Sequence, residues 1–304
     1  MNFADRLVAA IQKKNSAVCV GLDPQLKKLP AFLVKQAASE YGETLEGAAN
    51  AYLEFNKGII DAVCDLVPAV KPQLAFYEEL GSHGIWAFEE TCKYAQAKGL
   101  LVIGDGKRND IGSTAEAYAH LLGGLEVFGK EQPSVLDALT VNAYLGADGI
   151  LPFVKACAQY GKGIFVLVRT SNPSSGDVQS RVTADEKISV AELMAHFVES
   201  WGSDLVGESG YSAVGAVVGA THPHEAARLR EIMPQSFFLV PGYGAQGGTA
   251  DDVKDCFDAQ GLGALIVNAR GILYAFDEKG SGEDYAEKAR VATVKMNEDV
   301  NRVR

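Results

Sequence analysis

Asp105-Gly-Lys107, followed by Asp110, is the stretch of this 304-residue chain best suited to chemistry. It closes an apolar, extended run, and side chains two apart on a strand share a face, so Asp105 and Lys107 point the same way. A lysine ammonium beside a carboxylate keeps its charge and its place, an arrangement that can deliver a proton. A structural ion pair would use the same spacing. Asp110 lies past the strand end, where spacing does not place it.

A second candidate is GYGAQG at 242–247. It spells G-x-G-x-x-G, but a dinucleotide site would want that motif on the first strand–helix turn, with an acidic residue about 20 positions later. Here it follows the seventh strand, where barrel enzymes bind phosphate with backbone N–H groups and a helix N-terminus. Arg270 at the next strand end can add a bidentate contact. His222-Pro-His224 resembles a metal pair, yet no other Cys/His set completes a ligand shell, and Thr221 with Pro223 suits a helix start. No serine-nucleophile elbow, Walker motif or Cys-plus-His signature is present.

These residues need elements to hold them. Apolar or β-branched runs at 17–24, 69–76, 100–107, 138–143, 163–169, 213–220, 237–241 and 264–268 predict eight strands. Helical spacing lies between them: Tyr52, Phe55, Ile59, Val63 and Leu66 step by 3-4-4-3, and Ile85, Phe88 and Cys92 repeat the pattern. Ser113-x-x-Glu116 and Thr249-x-x-Asp252 read as capping boxes. Eight strand–helix alternations predict one (β/α)8 TIM barrel rather than an open sheet. The C-terminal strand ends then gather Asp23, Lys71, Gln73, Asp105, Lys107, Arg169, Thr170, Ser171, Gln246 and Arg270 at one mouth. Phe3, Leu7, Val8 and Ile11 mark an N-terminal helix. Two segments look inserted: a loop near 27–46 and a polar loop near 171–187, which lies where barrel enzymes carry lids.

Composition narrows the function. With 28 basic and 39 acidic residues the net charge is −11, which disfavours nucleic acid or anionic membrane as partners. A small anion must be gripped locally. No apolar run approaches the roughly 20 residues of a membrane span, and Asp5 interrupts what a signal peptide would keep basic. Five dispersed cysteines, without C-x-x-C, fit reduced core thiols and a cytoplasmic protein.

With these residues in view, the chain resembles orotidine 5′-phosphate decarboxylase, in its longer bacterial-type branch. Asp105-x-Lys107-x-x-Asp110-Ile111 matches the D-x-K-x-x-D-I motif of that family. Also similar are GLDP at 21–24, VKPQ with AFYE at 70–79, VRTSNPSS at 168–175, PGYGAQGG at 241–248 and NARGILYAF at 268–276. Asn109 departs from the small residue usual there and leaves the charged residues intact. The resemblance implies decarboxylation of orotidine 5′-monophosphate (OMP) to UMP, without metal or cofactor. Lys107 would protonate C6 of the pyrimidine and Asp105 would face the departing carboxylate. Asp110, and Thr114 with it, would reach the active site of a partner subunit in a homodimer. Lys71 and Asp23 would contact the ribose and the charged network, and Thr170 or Ser171 the pyrimidine edge. Gln246, the neighbouring amides of Gly244 and Gly247, and Arg270 would hold the phosphate.

Overall fold

The structure, a computed structural model, describes residues 1–276 and 280–304. Eight parallel strands close into a barrel: β1 Val18–Leu22, β2 Ala69–Pro72, β3 Leu101–Arg108, β4 Ala138–Val141, β5 Gly163–Arg169, β6 Ser212–Val218, β7 Ser236–Val240 and β8 Ala264–Asn268. Each pairs with its neighbours in sequence, and β1 closes the ring against both β2 and β8. Nearly every strand residue is buried, because the interior packs side chains on one face while helices cover the other. The (β/α)8 expectation therefore holds, strand for strand.

The helices follow their predicted stripes. Leu45–Val63 starts where the Thr44 hydroxyl accepts the Gly47 N–H at 3.1 Å, and it buries Tyr52, Phe55, Ile59 and Val63. It packs against Gly81–Ala97 and Tyr285–Asn301. The first helix, Phe3–Lys14, caps the barrel floor. Phe3, Leu7, Val8 and Ile11 are buried in one cluster with the interior residues Ile103, Phe165 and Leu265. Phe3 meets Phe165 edge to face at 5.9 Å.

The differences from expectation are local. The second strand ends at Pro72 rather than at 76, because Gln73 caps a short helix, Leu74–Glu78, with its side-chain oxygen. Ser113 is not a cap: the helix Gly112–Ala119 begins one residue earlier, after an extended Ile111. Thr249 does form its capping box, with Asp252 accepting from the Thr249 N–H and hydroxyl at 2.8 and 2.7 Å. Thr221 does not cap the helix Pro223–Ile232; its hydroxyl donates to the Ser171 carbonyl at 3.2 Å. The segment near 27–46 is no plain loop, since Ala31–Tyr41 is helical and lies on Leu45–Val63. The 171–187 segment carries two short turns of helix, Pro173–Ser175 and Gly176–Gln179.

Candidate active site

A cavity of about 490 Å³ opens at the C-terminal ends of the strands. On one side lie Asp23, Lys71, Gln73, Asp105, Lys107 and Thr140; on the other lie Thr170, Ser171, Gln246 and Arg270.

Asp105 is the hub. Its carboxylate is buried, 6% exposed, and it accepts four hydrogen bonds. Lys71 Nζ at 2.5 Å and Gln73 Nε2 at 2.9 Å donate to Oδ2; Lys107 Nζ at 2.6 Å and the Thr140 hydroxyl at 2.9 Å donate to Oδ1. Burial pushes this carboxyl up, but the flanking ammonium charges of Lys71 and Lys107 outweigh it and hold Asp105 well below the usual carboxylate range. Lys71 is also buried; burial alone would lower it, and Asp105 with Asp23 raises it instead. Asp23 shows the opposite balance. Burial, with help from Asp105, lifts its carboxyl above the ordinary value against the pull of Lys71, and Oδ1 has no hydrogen-bond partner among the described residues.

Lys107 sits differently from its neighbours. Its φ is +45°, in the left-handed region that a non-glycine residue enters at a cost of about 1–3 kcal/mol. The β3–β4 register shifts between Gly104 and Arg108, and the Lys107 N–H donates to Thr140 Oγ1 at 3.0 Å instead of continuing the ladder. The kink still leaves the Lys107 amine on Asp105, half-exposed toward the cavity.

The far wall is backbone-rich. In the 242–248 loop, Gly242, Gly244 and Gly247 all have positive φ. The N–H groups of Gly244, Gly247 and Gly248 are bonded inside the loop, to the carbonyls of Gly248, Gly244 and Gly242. Gly244 and Gly247, expected as phosphate contacts, therefore shape the turn and do not line the cavity; Tyr243, Ala245 and Gln246 do. Arg270 heads the short helix Arg270–Leu273 and makes no ion pair among the described residues. Close approach of the 171–187 segment requires Gly219, where a Cβ would come within 2.8 Å of Ser171 Cα.

Two further expected residues, beside Gly244 and Gly247, are not brought to this cavity. Asp110 accepts from the Ile111 N–H at 2.8 Å, and Thr114 is exposed on Gly112–Ala119. Sequence reasoning assigned no role to Gln73, Asn172, Tyr243 and Asn268, and it passed over Thr140 and Gln179. The signal for Thr140 was a lone hydroxyl in an apolar strand; nothing marked Gln179. His222, whose resemblance to half of a metal pair the sequence argues against, joins the network around Arg169. Its ring is pulled down by burial and then by Arg169, and Nδ1 lies 3.3 Å from Arg169 Nη2.

Fold and site together define a (β/α)8-barrel protein with a lysine–carboxylate network facing a glycine-rich turn and Arg270 across the strand ends. The chain belongs to the orotidine 5′-phosphate decarboxylase / HUMPS family, whose model matches residues 16–285. It is 45% identical over 306 residues to the orotidine 5′-phosphate decarboxylase of Rhodopirellula baltica, covering 99% of both chains. It is 42% identical over 303 residues to that of Caldicellulosiruptor bescii, covering 99% and 98%. Among solved structures, Leishmania donovani OMP decarboxylase superposes with a TM-score of 0.69 at 31% identity, covering 97% of this chain and 99% of that one.

Proposed function

We propose that this protein converts OMP to UMP and CO2, the last step of pyrimidine nucleotide synthesis. The observation that carries this reading is the Lys71–Asp105–Lys107 network, with its amine presented to a cavity whose opposite wall suits a phosphate. Family membership supports it.

Phosphate lies against Gln246, the backbone of Ala245 and Gln246, and Arg270. The pyrimidine edge meets Thr170 or Ser171, and Asp23 with Lys71 takes the ribose. The orotate carboxylate is then set near Asp105. The C6–carboxylate bond breaks, its electrons stay on C6, and CO2 departs. The Lys107 ammonium stabilises that charge and passes its proton to C6, and the amine regains a proton from solvent. One C–C bond is exchanged for one C–H bond, so no redox partner or electron sink is required. Repulsion between Asp105 and the substrate carboxylate adds ground-state strain. Phosphate is remote from C6, so gripping it can drive closure of the 171–187 segment and turn binding energy into rate.

Asp110 and Thr114 stand outside the cavity on a face that also exposes Ile111, Tyr144 and Leu145. An apolar exposed patch beside charged residues suits a second copy of the chain, which would bring Asp110 to its partner's site.

The test is a direct ultraviolet assay of purified protein with OMP in excess chelator. Turnover that survives chelation is expected. Loss of turnover that Mg2+ restores would point to a metal-dependent sugar-phosphate relative, and no turnover in either condition would reject the reading.

A further inference from the structure

Gln179 ends the short helix Gly176–Gln179 and turns its carboxamide back toward the strand β5 end, where it lines the cavity. Its orientation is fixed by its partners. The Thr170 N–H donates to Oε1 at 2.9 Å and the Arg169 guanidinium donates to the same oxygen at 3.3 Å. Both groups can only donate, so the oxygen must face them. Nε2 is left to donate to Thr170 Oγ1 at 2.8 Å. That bond occupies the hydroxyl as an acceptor, and its own proton goes to Asn172 Oδ1 at 2.6 Å, a length that suits O–H···O better than N–H···O. Asn172, also at the cavity wall, then has its oxygen engaged, and what it offers the cavity is its amide N–H.

The base of this relay is firm. Arg169 is buried at 4% exposure. It donates to Glu225 Oε1 at 2.9 Å and to the Ser175 hydroxyl at 2.9 Å, and its Nη2 lies 3.3 Å from His222 Nδ1. Direction therefore runs one way from a guanidinium, which carries donors and no acceptor, to the rim of the site.

We propose that Gln179, through Thr170 and Asn172, sets the hydrogen-bond polarity of the pyrimidine-edge subsite, making it a donor that selects 4-keto over 4-amino pyrimidines. A 4-keto ring presents an acceptor at that edge, whereas a 4-amino ring presents a donor. Facing a donor with a donor leaves both unpaired, which costs far more than a lost contact. The inference rests on the proposed function, since it takes the base to lie against Thr170, and it deepens that reading by naming what sets base choice.

Gln179→Glu reverses the relay. One carboxylate oxygen still accepts from the Thr170 N–H and Arg169, which keeps the segment anchored. The other now accepts the Thr170 proton, so Thr170 must accept from Asn172, whose amide turns and offers its oxygen to the cavity. Asn172→Asp reaches the same end by removing the donor at the rim. Added negative charge weakens both nucleotides alike, so the ratio of affinities is the readout.

The experiment is calorimetric titration of wild type, Gln179→Glu and Asn172→Asp with UMP and with CMP at one ionic strength, alongside thermal unfolding and wild-type OMP turnover. Wild type should prefer UMP by at least about tenfold, and both variants should bring the ratio to within about threefold or invert it. If the variants are folded and keep the wild-type ratio, the relay is overturned while the decarboxylase reading stands. If wild type binds neither nucleotide and turns over no OMP, both readings fall. If Gln179→Glu does not fold, Asn172→Asp alone decides the relay by the same ratio.

Discussion

Asp105 holds its charge by accepting four hydrogen bonds, two of them from ammonium groups, whereas Asp23 two strands away is half-buried with one oxygen unpartnered among the described residues. The contrast predicts a trade between stability and activity. A carboxyl whose folded pKa lies above its unfolded value costs stability once pH exceeds the unfolded value near 4, because the folded state must then release a proton it holds more tightly. Burial raises Asp23 in this sense. Asp23→Asn should therefore raise stability at pH 7 by about 1 kcal/mol while lowering kcat/KM. The gain should shrink as pH falls toward 4. Thermal unfolding of both proteins at pH 7 and pH 4.5 checks it, and a variant less stable than wild type at pH 7 would contradict it. At this scale the sequence was readable where residues two apart share a strand face. Asp105 and Lys107 meet as alternation requires, although Lys107 reaches that position through a left-handed backbone that no spacing reveals. Gln73 was placed at the mouth without a role and Thr140 escaped notice, because amides and hydroxyls complete a charged network without carrying charge.

The 171–187 segment is tied down by one residue of the strand before it. Arg169 is buried at the β5 end and reaches Ser175 and Gln179 on the segment and Glu225 on the helix Pro223–Ile232. Arg169→Met keeps the volume of the stem and removes every donor. It should loosen the segment, speed its proteolytic cleavage and lower kcat/KM at least about tenfold, since each lost charged hydrogen bond is worth about 1.5–3 kcal/mol. Unchanged kinetics and cleavage would show that the segment takes no part in turnover. Elements were legible where periodicity was strong: all eight strands exist in the order read, and the stripe from Tyr52 to Val63 is buried. Termini were not. Ser113 has the right spacing to Glu116, yet Gly112, with φ +54°, lets the helix begin before it. The 242–248 loop was correctly placed after the seventh strand, but which amides stay available depends on internal turn bonds that composition does not encode.

As a whole molecule, the barrel presents its charged network on one face and covers the other with the helix Phe3–Lys14, so among the described residues the network opens to a ligand at the strand C-termini. On that face Asp110 stands away from the cavity of its own chain, which sets up a complementation test. Lys107→Ala and Asp110→Ala proteins should each be nearly inactive. If Asp110 serves a partner's site, mixing them through reversible dissociation places both defects in one site and leaves the other intact, restoring up to about a quarter of wild-type activity. No recovery on mixing would place Asp110 in its own chain's site or outside catalysis.

The most direct measurement compares Lys107→Ala with wild type in two readouts, OMP turnover and UMP affinity. The amine is held to stabilise and protonate C6 and not to grip the nucleotide, so turnover should fall by at least about a thousandfold. UMP should still bind within about tenfold of wild type. A Lys107→Ala protein that keeps more than a few per cent of wild-type turnover would contradict the assignment of the proton donor.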